Sequence, residues 1–233
     1  MTTSRSSRET VVFDLDGTLV AGDSFSAFMR ALVMGHRGRR WVAAVSAPAW
    51  LLALSVPLTR PRAERFILWL AAAGMDERVY ADAARAFAAE HAGPRGGRTA
   101  AAGLARVRHH LERGDRVIVA TGCAAPLAQE ICAVIGLEGV QVVASTATRR
   151  RWGPPALVLP ARGDAKLRAL RAAGVRLPVD HAYSDSVADL PLLLNARVAH
   201  VVDPTPRDLR RLRRELGDDV DLLHWAGAGP AEA

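Results

Sequence analysis

Val11-Val12-Phe13-Asp14-Leu15-Asp16-Gly17-Thr18-Leu19-Val20 is the stretch on which the fold turns. Val11 to Phe13 is short, apolar and β-branched, the composition of a buried strand, and it stops abruptly at two acids. Asp14 and Asp16 stand two residues apart, so while the backbone stays extended both carboxylates face the same crevice. Gly17 lets the chain turn sharply, and Thr18 places a hydroxyl in that turn. Two carboxylates at one strand end repel each other unless a cation lies between them or a proton is shared. The stretch therefore predicts a core strand whose carboxyl end opens into a divalent-metal site with carboxylate chemistry.

Working outward, residues 1–8 read as a flexible lead-in, polar and basic, with no apolar run of the kind a cleavable signal peptide needs. Asp23 or Ser24 caps a helix that carries Phe25, Phe28, Met29, Leu32 and Val33 and ends at Gly35. Pro61 starts a helix with Phe66, Trp69, Leu70 and Ala73 on one face, and Asp76 caps another that runs to about His91. Gly93-Pro94-Arg95-Gly96-Gly97 is a linker. With Ala21-Gly22 it brackets an all-helical insert, residues 21–97. After it, strands and helices alternate: helix from Thr99 to Arg113, strand Arg116–Ala120, helix from near Pro126 to Gly136, strand Val140–Ser145, helix Lys166–Ala173, strand His181–Ser184, strand Arg197–Val202 and helix Pro206–Leu216. That order calls for an α/β, doubly wound (Rossmann-like) parallel sheet formed by residues 9–20 and 98–225, with ligands at the carboxyl ends of the strands. Residues 226–233 are small and read as a second flexible tail.

Three further strand ends carry polar groups. Strand Arg116–Ala120 runs into Thr121 and Gly122, a hydroxyl and a glycine before a helix start, which suits either a phosphate cradle or an ordinary cap. Gly163-Asp164-Ala165-Lys166 sets the chain's single lysine in the first turn of a helix, where the macrodipole disfavours a cation and an anionic partner is required. Tyr183-Ser184-Asp185-Ser186-Val187-Ala188-Asp189 ends a strand with acids four apart; Asp185 can join Asp14 and Asp16 around a hard cation, with Asp189 bracing the site.

The formal charge of +7 across 233 residues comes almost entirely from arginine and suits an anionic partner: nucleic acid, a membrane surface or a phosphorylated substrate. No nucleic-acid motif accompanies it, so none of that class is expected as partner. Cys123 and Cys132 make no disulfide framework, which fits a reducing cytoplasm. Trp41 to Thr59 is free of formal charge and bracketed by Arg37, Arg39, Arg40, Arg60 and Arg62. Its length reaches the lower limit for spanning a bilayer, but Pro48 and Pro57 break it, so a kinked helical hairpin is expected. Two placements stay open: buried in the helical subdomain, or dipped into a membrane interface.

These four motifs in this order resemble the haloacid dehalogenase superfamily of phosphatases over essentially the whole chain. Asp14-Leu15-Asp16-Gly17-Thr18 is similar to its first motif, Thr121 to its second, Lys166 to its third, and Ser184-Asp185 with Asp189 to its fourth. The helical insert is similar to the cap of the phosphoserine phosphatase subclass, although Ser184-Asp185-Ser186 departs from the usual Gly-Asp. The apolar stretch followed by Arg60 to Trp69 looks more like the C-type phosphatidylglycerophosphate phosphatases. The resemblance implies a Mg²⁺-dependent phosphomonoesterase. Asp14 would be the nucleophile and Asp16 the general acid and base. Mg²⁺ would be held by Asp14, the main-chain carbonyl of Asp16 and Asp185; Thr121, Gly122 and Lys166 would bind the phosphate. Asp189 and Thr18 would support this set. Arg60, Arg62 and Arg65 are candidates for a substrate headgroup. The substrate would be a lipid phosphate or a small metabolite such as phosphoserine, and the enzyme cytoplasmic, with contact to the inner face of the membrane through residues 41–59 as the further possibility.

Overall fold

The computed structural model describes residues 8–56, 58–148, 156–159, 162–217 and 220–225. The strands are β1 (Thr10–Phe13), β2 (Arg116–Ala124), β3 (Gln141–Thr148), β4 (Ala156–Leu159), β5 (Val179–Ser184), β6 (Ala196–Val202) and β7 (Asp221–Leu223). They form one sheet in the order β4-β3-β2-β1-β5-β6-β7. Every neighbouring pair is parallel except β3–β4 at one edge. The expected α/β doubly wound sheet is present, with two short edge strands, β4 and β7, that the sequence reading did not contain.

Each central strand feeds both faces, as a period of two demands. Val11 and Phe13 of β1, Val117 and Val119 of β2 and Tyr183 of β5 enter one apolar cluster. Val12, Ile118 and Ala182 enter the other. The helices α5 (Ala101–Glu112) and α6 (Ala125–Val134) cover the first face with Val107, Leu127 and Ile131. On the second face lie α7 (Asp164–Ala172), α8 (Leu190–Leu194) and α9 (Pro206–Leu216), through Leu167, Leu170, Leu192, Leu193 and Leu212. At about 1.5–3 kcal/mol per buried aliphatic side chain, these two layers carry the fold.

Topology then places the site. From β1 the chain winds outward through β2 and β3, then returns to lay β5 on the other side of β1 and continues to β6 and β7. The switch point falls between β1 and β5, where open α/β sheets bind ligands. Phe13 is in register with Val119 of β2 and Tyr183 of β5, so Asp14, Thr121 and Asp185 emerge at one sheet edge.

Four helices are inserted between β1 and α5: α1 (Ser24–Met34), α2 (Arg37–Ser55), α3 (Arg60–Ala72) and α4 (Glu77–His91). The two chain crossings into this insertion are tied to each other, Ala21 N–H donating to Arg98 O (2.7 Å) and Ala100 N–H to Leu19 O (3.0 Å). Asp23 caps α1 through Ser26 N–H, and Asp76 caps α4 through Val79 N–H. Helix α4 lies on α6, where its fully buried Ala84 and Ala88 let the two helices approach closely.

The expected hairpin across residues 41–59 is not what forms. One helix, α2, runs unbroken through Pro48 to Ser55, and a turn at Leu58 and Thr59 precedes α3. Proline costs a helix the bond to the carbonyl four residues back. Here the indole N–H of Trp50, two residues past Pro48, donates to Ala43 O (3.2 Å), a side-chain bond that spans the proline. Pro57 and residues 1–7 and 226–233 lie outside the described residues.

Candidate active site

Asp14 is the first residue beyond β1, and its N–H extends the ladder to Tyr183 O (2.9 Å). Its carboxylate is buried and accepts from Lys166 Nζ (2.7 Å). The same ammonium donates to Asp189 Oδ2 (2.6 Å), which also accepts from Ser184 Oγ (2.9 Å). Lys166 lies in the first turn of α7, against the helix dipole, and two carboxylates hold it there. Burial pulls its pKa down, but Asp14 and Asp189 outweigh that and keep the ammonium above its ordinary value. Burial pushes Asp14 up, Lys166 draws it back, and Asp189 and Asp185 push it up again.

Asp185 follows β5 directly. Its N–H donates to Thr18 Oγ1 (3.1 Å), and the Thr18 hydroxyl donates back to Asp185 Oδ1 (3.4 Å). Burial first, and then Asp189, raise Asp185 to about 6. Gly17 has φ +82°, and a Cβ built there would land on the Asp185 carboxylate. Only glycine combines that backbone with that approach.

Asp16 points away from this pair, toward the insertion. Its Oδ1 accepts from Ser24 N–H (3.0 Å) at the start of α1, and Ser24 Oγ lies 3.4 Å from His91 Nε2 at the end of α4. Burial raises its pKa, with the Ser24 bonds opposing. A carboxyl that holds its proton closer to neutral pH suits a general acid.

Strand β2 runs four residues further than its apolar core suggested, to Ala124, with a register shift against β3 between Thr121 and Ala124. Thr121 is not a helix cap: its buried Oγ1 accepts from Cys123 N–H (3.0 Å), shaping the turn and leaving the hydroxyl hydrogen as its donor. Cys123 is buried, and desolvation pushes its thiol well up, so it fills space there as a neutral group. Gly122 is overlaid by Arg162, whose Nε lies 2.6 Å from where a Cβ would sit. Arg162 also stands 3.9 Å from Asp23 and bears on Asp16. It was missed in the sequence, although it immediately precedes Gly163.

Of the remaining candidates, Arg62 and Arg65 are exposed on α3, which packs on α1 and α2 rather than at the sheet edge. The side chain of Arg60 lies outside the described residues.

The oxygen-only set of Asp14, Asp185 and the main-chain carbonyl of Asp16 fits a hard divalent cation. Crowded acids raised by burial and by one another favour either protons or a cation, and Gly17 keeps side-chain bulk off Asp185. Among the described residues, one trio of side-chain donors lies within 4.8 Å: Glu9, His110 and Asp115. It sits at the opposite, amino end of β1. Arg113 already pairs there with Glu9 (3.0 Å) and Asp115 (3.5 Å), and His110 bonds Asp115 (2.9 Å), which reads as a closed structural network.

Residues 11–194 match the haloacid dehalogenase-like hydrolase family. No curated protein matches the chain. Among solved structures, a protein of unknown function from Bordetella pertussis Tohama I superimposes with TM-score 0.71 at 21% identity, covering 94% of this chain and 99% of that one. A substrate-bound phosphoserine phosphatase gives TM-score 0.56 at 13% identity, with 94% and 93% covered. A phospho-aspartyl intermediate analogue of phosphoserine phosphatase gives 0.53 at 14%, with 93% of each chain covered. These likenesses extend the agreement in fold beyond the family match. With that match spanning both acidic strand ends and the lysine between them, the chain belongs to the haloacid dehalogenase-like hydrolases.

Proposed function

We propose that the protein is a Mg²⁺-dependent phosphomonoesterase in which Asp14 attacks phosphorus and carries the phosphoryl group as an aspartyl-phosphate. The observation that carries this reading is the buried Asp14–Lys166–Asp189 chain at the switch point, level with Asp185. Lys166 orients the Asp14 carboxylate and opposes the rise in pKa that burial imposes on it, and its charge faces the phosphoryl oxygens as charge develops on them. Asp189, fixed by Ser184, positions Lys166. Asp16 protonates the leaving alkoxide and then takes the proton of the hydrolytic water. Thr121 and Gly122 offer a hydroxyl and a main-chain N–H to the phosphoryl oxygens. Asp14, Asp185 and the Asp16 carbonyl would hold Mg²⁺, whose charge would let an anionic ester approach an anionic carboxylate. The helical insertion, residues 21–97, acts as a cap that excludes water and selects the leaving group, since α1 delivers Ser24 directly to Asp16.

For the substrate we infer a lipid phosphate such as phosphatidylglycerophosphate, because the insertion carries an exposed apolar helix between arginines. A small soluble monoester such as phosphoserine is the second reading, favoured by the fold shared with the phosphoserine phosphatases. Phosphate release from detergent-solubilised phosphatidylglycerophosphate and from phosphoserine, with and without Mg²⁺, tests both. Asp14→Asn should abolish release while leaving the melting transition in place. Retained turnover would remove Asp14 as nucleophile.

A further inference from the structure

Helix α2 presents its apolar side to the outside. None of its residues is buried, yet Trp41 (72% exposed), Val45 (73%) and Leu52 (69%) recur along one face, with Val42, Leu51 and Val56 beside them and Leu58 (81%) in the turn that follows. The polar side chains of this stretch are turned onto its own backbone. Ser46 donates to Val42 O (2.6 Å), Ser55 to Leu52 O (2.7 Å), Thr59 to Ala53 O (2.8 Å) and Trp50 to Ala43 O. A contiguous exposed apolar face whose polar groups ask nothing of water marks an interaction surface.

Charge identifies what it meets. No acid occurs between Asp23 and Glu64. Arg39 is used internally, donating to Leu32 O (3.3 Å) and Ala73 O (2.7 Å), and so fastens α2 to its neighbours. Arg37 and Arg40, in the first turn of α2, remain exposed, as do Arg30 on α1 and Arg62 on α3. Two such faces docked on each other would gather arginines with no acid of this segment to meet them. Anionic headgroups neutralise the same arginines while the acyl boundary takes the apolar row.

We propose that this face docks on an anionic bilayer, with α2 lying in the plane of the interface. It lies there rather than crosses: among the described residues no helix is long and apolar enough to span. Helix α1 links surface and site. It begins at Ser24, bonded to Asp16, and its 11 residues put Met34, where the chain enters α2, about 16 Å away. A docked α2 therefore keeps the carboxylates within reach of headgroup phosphates. Only that last consequence rests on the phosphatase reading; docking itself does not.

The test is co-sedimentation of the full chain, carrying Asp14→Asn so that no lipid is consumed, with phosphatidylcholine vesicles with or without about a third phosphatidylglycerol. Binding should require the anionic lipid and weaken with salt. At about 1 kcal/mol per cation, Arg37→Gln with Arg40→Gln should weaken it about twenty- to thirtyfold. Val45→Glu with Leu52→Glu should weaken it about tenfold or more while keeping the native melting transition, since neither residue is buried. No binding to anionic vesicles by the folded protein overturns the proposal. So does a dimer in solution that Val45→Glu with Leu52→Glu dissociates, which would make the face a contact between copies. Hydrolysis of p-nitrophenyl phosphate by the chain with native Asp14 is scored separately, so a failed phosphatase reading and a failed docking surface give different results.

Discussion

Lys166 is the residue through which the site is held together, and the cost of removing it can be placed. Its ammonium is fully buried between two carboxylates at 2.7 and 2.6 Å. Stripping one partner from a buried ion pair costs about 3–5 kcal/mol, because the remaining charge has no water to return to. Lys166→Met should therefore destabilise the metal-free protein by about that much in urea unfolding, and abolish activity besides. Asp189→Asn should cost less, since Ser184 and Lys166 keep hydrogen-bonding partners in the amide. Gly17 makes a second case. Gly17→Ala meets both a positive φ and the Asp185 carboxylate, whereas Gly74→Ala, at φ +72° with nothing within 4 Å of its Cβ, meets only the backbone penalty. Gly74→Ala should cost about 1–2 kcal/mol in unfolding experiments. Gly17→Ala should cost more and also weaken Mg²⁺ binding, measured by titration calorimetry. Lys166, Asp189 and Gly17 were legible beforehand because each motif is local and its chemistry is written in residue type. Arg162 was not: an exposed arginine among thirty says nothing until β2 and the start of α7 bring it over Gly122.

Elements were legible in proportion to how far their pattern is their own. Helices α1, α4 and α9 carry a cap, a periodic face and a stop, and all three start and end where those signals stand. Strands β4 and β7, four and three residues long, exist because a neighbouring edge offers hydrogen bonds, a fact no local pattern contains. The ring stack of Phe13, Tyr183 and His200, with centroids 4.3 and 4.1 Å apart, likewise needs the register of β1, β5 and β6. Helix α2 went the other way: two prolines argued for a break, but one stands inside an unbroken helix, where the Trp50 bond to Ala43 O spans it. The α4–α6 contact yields an element-scale prediction. Ala88 is fully buried in the cluster that holds Leu127 and Ile131, so there is no room for a larger side chain. Ala88→Leu should cost about 1–3 kcal/mol by overpacking, read from thermal unfolding. Ala86, on an exposed part of the same helix, should accept Leu at little cost.

At the scale of the whole molecule, the carboxylate cluster makes stability depend on pH and on metal together. Asp14, Asp16 and Asp185 are all raised above their ordinary 3.8, Asp185 to about 6. A carboxyl raised on folding binds more protons in the native state than in the unfolded chain between those two values, so stability falls as pH rises through that window. For Asp185 the window runs from 3.8 to about 6, a loss of about 1–3 kcal/mol after allowing for its partial exposure. Lys166, also raised, acts in the same sense but elsewhere: its contribution is fully present at all pH below its ordinary 10.5 and fades only in alkali. Asp115, lowered because the His110 bond and its neighbours outweigh burial, stabilises above 3.8 and is lost only in stronger acid. The cluster should therefore govern the slope from weak acid to neutrality. In the metal-free protein its contribution declines over that range, and Mg²⁺, competing with protons for the same oxygens, restores it. At a hundredfold excess over its dissociation constant a ligand adds about 2.7 kcal/mol. Thermal melts in EDTA and in saturating Mg²⁺, at about pH 5 and about pH 8, should show a gain from Mg²⁺ that is small in acid and several degrees larger at the higher pH. An equal gain at both would mean that the cation is held by groups other than these raised carboxylates.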